Sequence, residues 1–400
     1  MVNVAILGFG TVGSGVAEVL TTNGGLIDQR VENLVRLKYI LDVRDFPDSP
    51  YRGLLRQGLW GHRERPRGGH RSGDHRRRHG GPGLTTRALK AGKSVVSSNK
   101  ELVATHGYEL LQLAREHGVS YLFEASVGGG IPILRPLTSC LAANELSQVT
   151  GILNGTTNYI LTRMIRAGLT FEQALKEAQE NGYAEQDPTA DVDGHDACRK
   201  ICILAALAFG QHVYPDQVPT QGIPGVTLAD VAYADSCGYK IKLLGRAIRE
   251  GEGKSAPLWP PSGARLQSPV RGGGRVQRHF RHRQRHRRRD VLWPGAGKLP
   301  TASAVVADVI DIAKDLKTAR CAVWGPGSPD LVVVPTSSAP AGMSGDGLHG
   351  QSPGRLREIS PLARGAPAGE TAFLTAPMTE PQVRARLEGM ELHSLIRVLE

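Results

Sequence analysis

The sequence predicts an α/β chain organised on a parallel sheet and divided into more than one domain. Three observations carry that prediction. Val2–Leu7 (VNVAIL) is a short apolar run that leads into Gly8-Phe-Gly-Thr-Val-Gly13 and then a helix-forming stretch. Strand, glycine-rich turn and helix in that order open a doubly wound sheet. Short apolar strands then alternate with helical periods: residues 35–41, 94–97 and 119–123 read as strands, and 86–92 and 106–117 as helices. Finally, 400 residues with 40% hydrophobic and 22% charged content suffice for two or three soluble globular domains.

Composition narrows the classes further. No apolar run approaches the roughly eighteen residues of a membrane span. The first residues enter a strand without a basic start, so no signal peptide is expected. Five scattered cysteines, an odd number, fit free thiols in a reducing cytoplasm. Cys198 and Cys202 lie one helical turn apart and are read as core. The net charge of +11 is concentrated in residues 61–79 and 265–289, which carry +5 and +10, so the rest of the chain is net acidic. Apart from Phe280 these islands lack interleaved aromatics, and no nucleic-acid partner is expected.

Within the first domain, Gly8 makes the tight turn, Gly10 lets a pyrophosphate approach the backbone, and Gly13 lets helix and strand pack closely. The amides around Thr11 and Val12, at the helix start, face the phosphates. Asp42 and Arg44 follow the second strand. An acid there suits a ribose hydroxyl and an arginine a 2′-phosphate, so both NAD and NADP stay open. Ser98, Asn99 and Lys100 follow the strand at 94–97, at the sheet edge where ligands bind. The Glu124-Ala-Ser-Val-Gly-Gly-Gly-Ile131 stretch offers carbonyl oxygens and a carboxylate to a hard cation, and reads equally well as a flexible turn.

The second domain opens with a helix expected at 131–143 and a strand at 148–153 ending in Asn154-Gly-Thr-Thr-Asn158, a polar strand–helix junction suited to an anion. Thr170 and Gln173 form a capping box, and Gly182 stops that helix. The stretch 182–200 (GYAEQDPTADVDGHDACRK) concentrates Glu185, Asp187, Asp191, Asp193, Asp196 and Lys200. Asp191 or Asp193 is positioned to cap the following helix, and Asp193, Asp196 and Lys200 share one face by spacing. Taken alone, that spacing also suits a solvated i,i+4 pair. Residues 239–247 read as helix or strand, and Thr301 is expected to cap a helix at 304–316.

GFGTVGSG, SSNKELVA, FEASVGGGIPI, GILNGTTNYIL, AEQDPTADVDGHDACRK and PGAGKLPTA, in this order and spacing, closely resemble homoserine dehydrogenase. The resemblance covers about 1–54, 84–254 and 291–325. It implies a Rossmann-type NAD(P)-binding domain (1–130), an α/β catalytic and dimerisation domain (131–320) and a small C-terminal ACT-like remnant (321–400). It implies a cytoplasmic homodimer or homotetramer interconverting L-homoserine and L-aspartate 4-semialdehyde, on the route to threonine, methionine and isoleucine. Lys100 and Lys200 match the two family lysines flanking the reacting oxygen. Glu185, Asp191 and Asp196 match acids that hold the substrate ammonium and orient Lys200, and Gly155 and Thr156 match substrate-positioning residues. Gly8, Gly10, Thr11, Val12, Gly13, Arg44, Ser98, Lys100 and Gly297 fall on cofactor-contacting positions. Glu124, Val127, Gly129 and Ile131 match a structural monovalent-cation site, expected to hold sodium.

Three segments break the family pattern, near 55–84, 255–290 and 335–367. Each loses and regains family sense abruptly with little change in spacing, and each is rich in Arg, Gly, Pro, His or Ser. They read as out-of-frame translation of a GC-rich gene, which resequencing of the DNA tests directly. The alternative is an inactive dehydrogenase-derived chain: with these segments as they stand the chain is expected to fold poorly and turn over little, and a frame-corrected version to be active. Nucleic-acid binding through the Arg-rich segments is a separate and disfavoured reading.

Overall fold

A computed structural model describes residues 1–57, 82–236, 239–249 and 297–327, with the backbone of short strands at 255–256, 262–264, 276–282, 289–293, 356–359, 372–375 and 397–399 and positions 382 and 385. Most of each segment read as out of frame, and most of the C-terminal ACT-like remnant, fall outside these residues. The chain forms two units, Met1–Ala142 with Pro294–Pro326, and Ala143–Trp293 with Gly327–Glu400.

In the first unit, β1 (Val2–Leu7) leads to α1 (Thr11–Thr22) and α2 (Gly24–Val31), then to β2 (Val35–Asp42) and β3 (Leu55–Gln57). These strands form a parallel sheet with β2 in the middle. Next come α3 (Pro82–Lys90), β4 (Val95–Val96), α4 (Lys100–Glu116) and β5 (Tyr121–Leu122), with β4 and β5 paired in parallel. The parallel sheet and strand–helix alternation expected from the sequence are present. β1 is less buried than its composition suggests: Ile6 is buried but Leu7 is 49% exposed. Among the described residues β1 has a ladder partner on one edge only, β2.

Two boundaries differ from expectation. α4 begins at Lys100, and its backbone kinks at His106, where the sequence pattern placed its start. The stretch at 131–143 yields a shorter helical segment than expected, over residues 134–140, which widens from Pro136 to Cys140.

The second unit contains β6 (Leu146–Gly151), α5 (Gly155–Ala167), α6 (Phe171–Glu180), α7 (Thr189–Val192), α8 (His195–Phe209) and α9 (Leu228–Ser236). β7 (Lys240–Lys242) and β8 (Gly245–Arg249) follow, then β9 (Ser255–Ala256), β10 (Ser262–Ala264), β11 (Val276–His282) and β12 (Arg289–Trp293). The ambiguous stretch at 239–247 is thus two strands. An antiparallel sheet in the order β12-β11-β6-β8-β9 forms one layer. α8 packs against β6 and β8, with Ile201, Cys202, Ile203 and Leu204 buried. Gly245 permits the contact, since a Cβ there would lie 2.5 Å from Leu153 Cδ1 and 3.1 Å from Ile201 Cβ. Cys198 and Cys202 are both buried, in keeping with the core reading.

The chain returns to the first unit with α10 (Lys298–Lys314), which packs on α1. It starts six residues before the expected 304. Pro300 sits in its first turn, where a missing N–H costs nothing. Gly297, not Thr301, is the N-cap residue.

Lys242 is a buried cation whose ammonium donates to Asn158 Oδ1 at 2.7 Å and Thr162 Oγ1 at 3.2 Å, both neutral. Burial pushes its pKa down to about 8, and the like charges of Arg166 and Lys240 add to the shift. Between about pH 8 and the ordinary lysine value, the folded chain has released a proton that the unfolded chain keeps, so this group adds stability as pH rises through that window. We expect Lys242→Met to be more stable than the parent at pH 7, by on the order of 1–3 kcal/mol. Denaturant titrations at pH 7 and pH 10 check this: the advantage should shrink at the higher pH. Gly13→Ala should act oppositely. Its Cβ would fall 1.9 Å from the Gly8 carbonyl oxygen, forcing the turn apart. A loss of about 3 kcal/mol or more is expected in thermal unfolding.

Candidate active site

The junction between β6 and α5 organises the acidic stretch. Asn154 caps α5, accepting from the Thr157 N–H at 2.8 Å and the Thr157 hydroxyl at 2.9 Å through Oδ1. Its Nδ2 donates to Asp191 Oδ1 at 2.7 Å and to Asp196 Oδ2 at 2.9 Å. Asp196 Oδ2 also accepts from Lys200 Nζ at 2.7 Å, and Lys200 Nζ donates to the Leu153 carbonyl at 2.9 Å. Asn154 and Asp196 are buried, and the Lys200 side chain is 16% exposed. The spacing of Asp196 and Lys200 is therefore a sheltered ion pair tied into a network and not a solvated surface pair.

The helix start differs from expectation. Neither Asp191 nor Asp193 caps α8. Asp191 lies in α7, Asp193 ends that turn, and Gly194 is the α8 N-cap with a left-handed backbone (φ 84°). Only Asp196 and Lys200 share the α8 face. Gly194 is fitted against Thr220 and Gln221, and a Cβ on Gly222 would lie 2.2 Å from the Val192 carbonyl oxygen. Ile223 donates its N–H to that same oxygen at 2.8 Å. The loop before α8 is thus held against residues 220–223.

Around this cluster, Thr156 donates to the Tyr183 carbonyl at 2.9 Å, joining the start of α5 to the acidic stretch. Gly155 and Glu185 are exposed, and Thr156 is half-buried. Sequence reasoning missed Asn154 as the hub. An Asn directly before a helix-opening Gly is a capping signal, but its two carboxylate partners lie 37 and 42 residues on.

The first unit holds the other predicted residues. Lys100 is the first residue of α4, capped by Asn99, whose side chain accepts from the Leu102 N–H at 3.1 Å. Ser97 Oγ accepts from the Asn99 N–H at 3.1 Å, so the segment containing Ser98 is a compact turn after β4. Gly8 and Gly297 both have positive φ, at 98° and 125°. Gly15 lets α1 approach the start of α10, where a Cβ would lie 2.9 Å from the Lys298 carbonyl oxygen.

Asp42 and Arg44 form one assembly with the glycine turn. Asp42 Oδ2 accepts from the Phe9 N–H at 2.6 Å and from Arg44 NH2 at 3.1 Å. Its Oδ1 accepts from Arg44 Nε at 3.1 Å and from the Arg44 N–H at 2.9 Å. Burial alone would push the Asp42 carboxyl up, but the Arg44 guanidinium and the Arg44 and Phe9 amides outweigh it and hold the group well below the usual carboxylate range.

The Glu124 carboxylate accepts from the Ile133, Leu134 and Arg135 N–H groups at 2.5, 2.9 and 2.8 Å. Its own N–H donates to Asp308 Oδ2 at 2.8 Å, and Asp308 Oδ1 accepts from Arg135 at 2.5 Å. Val127 and Ile131 are buried, and Gly129 is left-handed (φ 57°). Among the described residues no group of three or more His, Cys, Asp or Glu could hold a metal, so a cation in this turn depends on main-chain carbonyl oxygens. Among the described residues no helix is long and apolar enough to cross a membrane.

A parallel sheet with a glycine-rich turn, a strand-end Asp–Arg pair and a buried Asn–Asp–Lys network define a dinucleotide-dependent oxidoreductase. The homoserine dehydrogenase family model matches residues 132–310. Homoserine dehydrogenase of Neisseria gonorrhoeae is 38% identical over 331 residues, 78% of this chain and 72% of that protein. The Bacillus subtilis enzyme is 34% identical over 338 residues, covering 79% and 74%. The crystal structure of homoserine dehydrogenase from Thiobacillus denitrificans superimposes with a TM-score of 0.76 at 28% identity, covering 100% of this chain and 98% of that one. A hyperthermophilic archaeal homoserine dehydrogenase in complex with NADPH has a TM-score of 0.58 at 25% identity, covering 78% and 97%. The chain belongs to the homoserine dehydrogenase family. Nothing in these relatives favours the nucleic-acid alternative.

Proposed function

We propose that this chain interconverts L-homoserine and L-aspartate 4-semialdehyde with a nicotinamide dinucleotide, in the biosynthesis of threonine, methionine and isoleucine. The observation that carries the reading is the Asn154–Asp196–Lys200 network, with Asp191 on its second branch. The cofactor, when bound, takes or returns the hydride. The residues of the chain handle the oxygen, its proton and the substrate charge.

Lys200 is the residue assigned to the reacting oxygen. Its Nζ donates to Asp196 and to the Leu153 carbonyl, which locates the ammonium and lowers the ordering cost in the transition state. A positioned cation stabilises the developing alkoxide most where water is scarce. Lys100 is assigned the second proton-handling role. Glu185 and Asp191 are carboxylates for the substrate ammonium, and Gly155 and Thr156 position the substrate at the α5 N-terminus. The first unit is the cofactor domain, through Gly8, Gly10, Thr11, Val12, Gly13, Ser98 and Gly297, and the second unit is the catalytic domain. Arg44 is assigned to a 2′-phosphate, making NADP the favoured cofactor. A NADPH complex of a family member supports that assignment.

A sodium ion is assigned to the carbonyl oxygens of residues 124, 127, 129 and 131, because the Glu124 carboxylate is already committed to three amides. The working assembly is a cytoplasmic homodimer or homotetramer with no nucleic-acid partner.

Homoserine-dependent reduction of NADP and NAD, followed by absorbance, tests the reading on the purified chain. Lys200→Ala should lower kcat about 10³-fold. Asn154→Ala, which unties Asp191 from Asp196, should lower kcat/KM about 10- to 100-fold. Parent-level turnover by Lys200→Ala would remove the lysine from the mechanism.

A further inference from the structure

At the mouth of the glycine turn, one ion pair holds two mutually exclusive answers to the same ligand. Asp42 stands at the carboxyl end of β2, where an acid accepts from the ribose hydroxyls of an unphosphorylated dinucleotide. Arg44, two residues on, suits a 2′-phosphate. The two side chains are joined through two contacts, Nε to Oδ1 and NH2 to Oδ2, both at 3.1 Å. The Asp42 side chain is 0% exposed, whereas that of Arg44 is 51% exposed. Arg44 therefore lies outside and Asp42 beneath it.

The guanidinium is also fixed in orientation. Its carbon sits 5.0 Å from the centroid of the Phe46 ring, and Phe46 meets Phe9 edge-on at 5.1 Å. NH2 lies 3.7 Å from where a Cβ on Gly10 would be. The Nε and NH2 groups are both spent on Asp42. Asp42 is held independently by two backbone donors, the N–H groups of Phe9 and Arg44. Those donors survive removal of the Arg44 side chain, so the carboxylate would stay in place with lone pairs newly exposed.

We propose that Arg44 masks Asp42, so that the chain carries a preset ribose-diol acceptor that its own arginine keeps covered. Cofactor choice then rests on this single cover. With it in place the site favours a 2′-phosphate, and without it the site becomes one for the unphosphorylated ribose. The inference builds on the assignment of Arg44 to the 2′-phosphate and extends it to Asp42.

Isothermal titration of the full-length chain with 2′,5′-ADP and with 5′-AMP tests the mask without any turnover. Arg44→Ala should bind 2′,5′-ADP about tenfold or more weakly, the scale of a lost charged hydrogen bond. The same variant should bind 5′-AMP several-fold more tightly than the parent. Adding Asp42→Asn to Arg44→Ala should cancel that gain, because an amide with one acceptor oxygen cannot serve both the Phe9 N–H and the diol equally well. If 5′-AMP affinity in Arg44→Ala is unchanged or weaker, the mask is refuted. If 5′-AMP tightens while the parent shows no preference for 2′,5′-ADP, the mask stands and the phosphate role of Arg44 falls. Binding of neither nucleotide by the parent would overturn both.

Discussion

The second unit depends on one amide side chain. Asn154 uses both lone pairs of its oxygen on the start of α5 and both protons of its nitrogen on two carboxylates. Buried polar groups are costly when unpaired, so a side chain that satisfies all four valences at once fixes three segments relative to one another. The β6–α5 junction, the acidic loop and α8 cannot shift independently without breaking one of these bonds. Lys200 inherits its place from that arrangement through Asp196. A lysine on a helix is otherwise a long, mobile cation with several rotatable bonds. Here its last atom is located by a network centred 46 residues earlier in the chain.

The first unit solves a similar problem with carboxylates. Asp42 gathers the glycine turn and Arg44, and Glu124 gathers three successive amides beyond the glycine run. Asp308 joins the second arrangement to α10 through the Glu124 N–H and Arg135. Its burial pushes its pKa up to about 6, against the pull of the Glu124 amide and of Arg135. Asp42 and Glu124, acids that look from the sequence like ligands, are thus engaged by the protein's own groups: Asp42 by two amides and the Arg44 side chain, Glu124 by three amides.

Local signals were readable in the sequence, and long-range ones were not. The glycine turn, the capping box of Thr170 and Gln173, and the stop at Gly182 depend on neighbours within a few residues, and all three are present. The family and its activity were readable because six motifs fall in order. The hub role of Asn154 and the covering of Asp42 depend on partners 33 to 42 residues away or on which side chain lies outermost. The expected aspartate cap of α8 failed for a related reason. Spacing alone favoured Asp191 or Asp193, but close packing of residues 220–223 demands a glycine next to the helix, and Gly194 takes the cap position. The early start of α10 was in principle legible, since Pro300 is favourable in a first helical turn.

The clasp of residues 220–223 over the loop before α8 bears on how a small, highly charged molecule is accommodated. A loop free to move would have to lose conformational entropy each time a ligand arrived, on the order of 1–2 kcal/mol for each backbone residue ordered. With Gly222 pressed to the Val192 carbonyl and Ile223 hydrogen-bonded to it, that ordering is complete once the chain has folded. The backbone of residues 192–194 is therefore set by folding and not by a ligand. Whatever meets this stretch meets a backbone already in place, so any selectivity it exerts is exerted through shape and charge placement and not through closure.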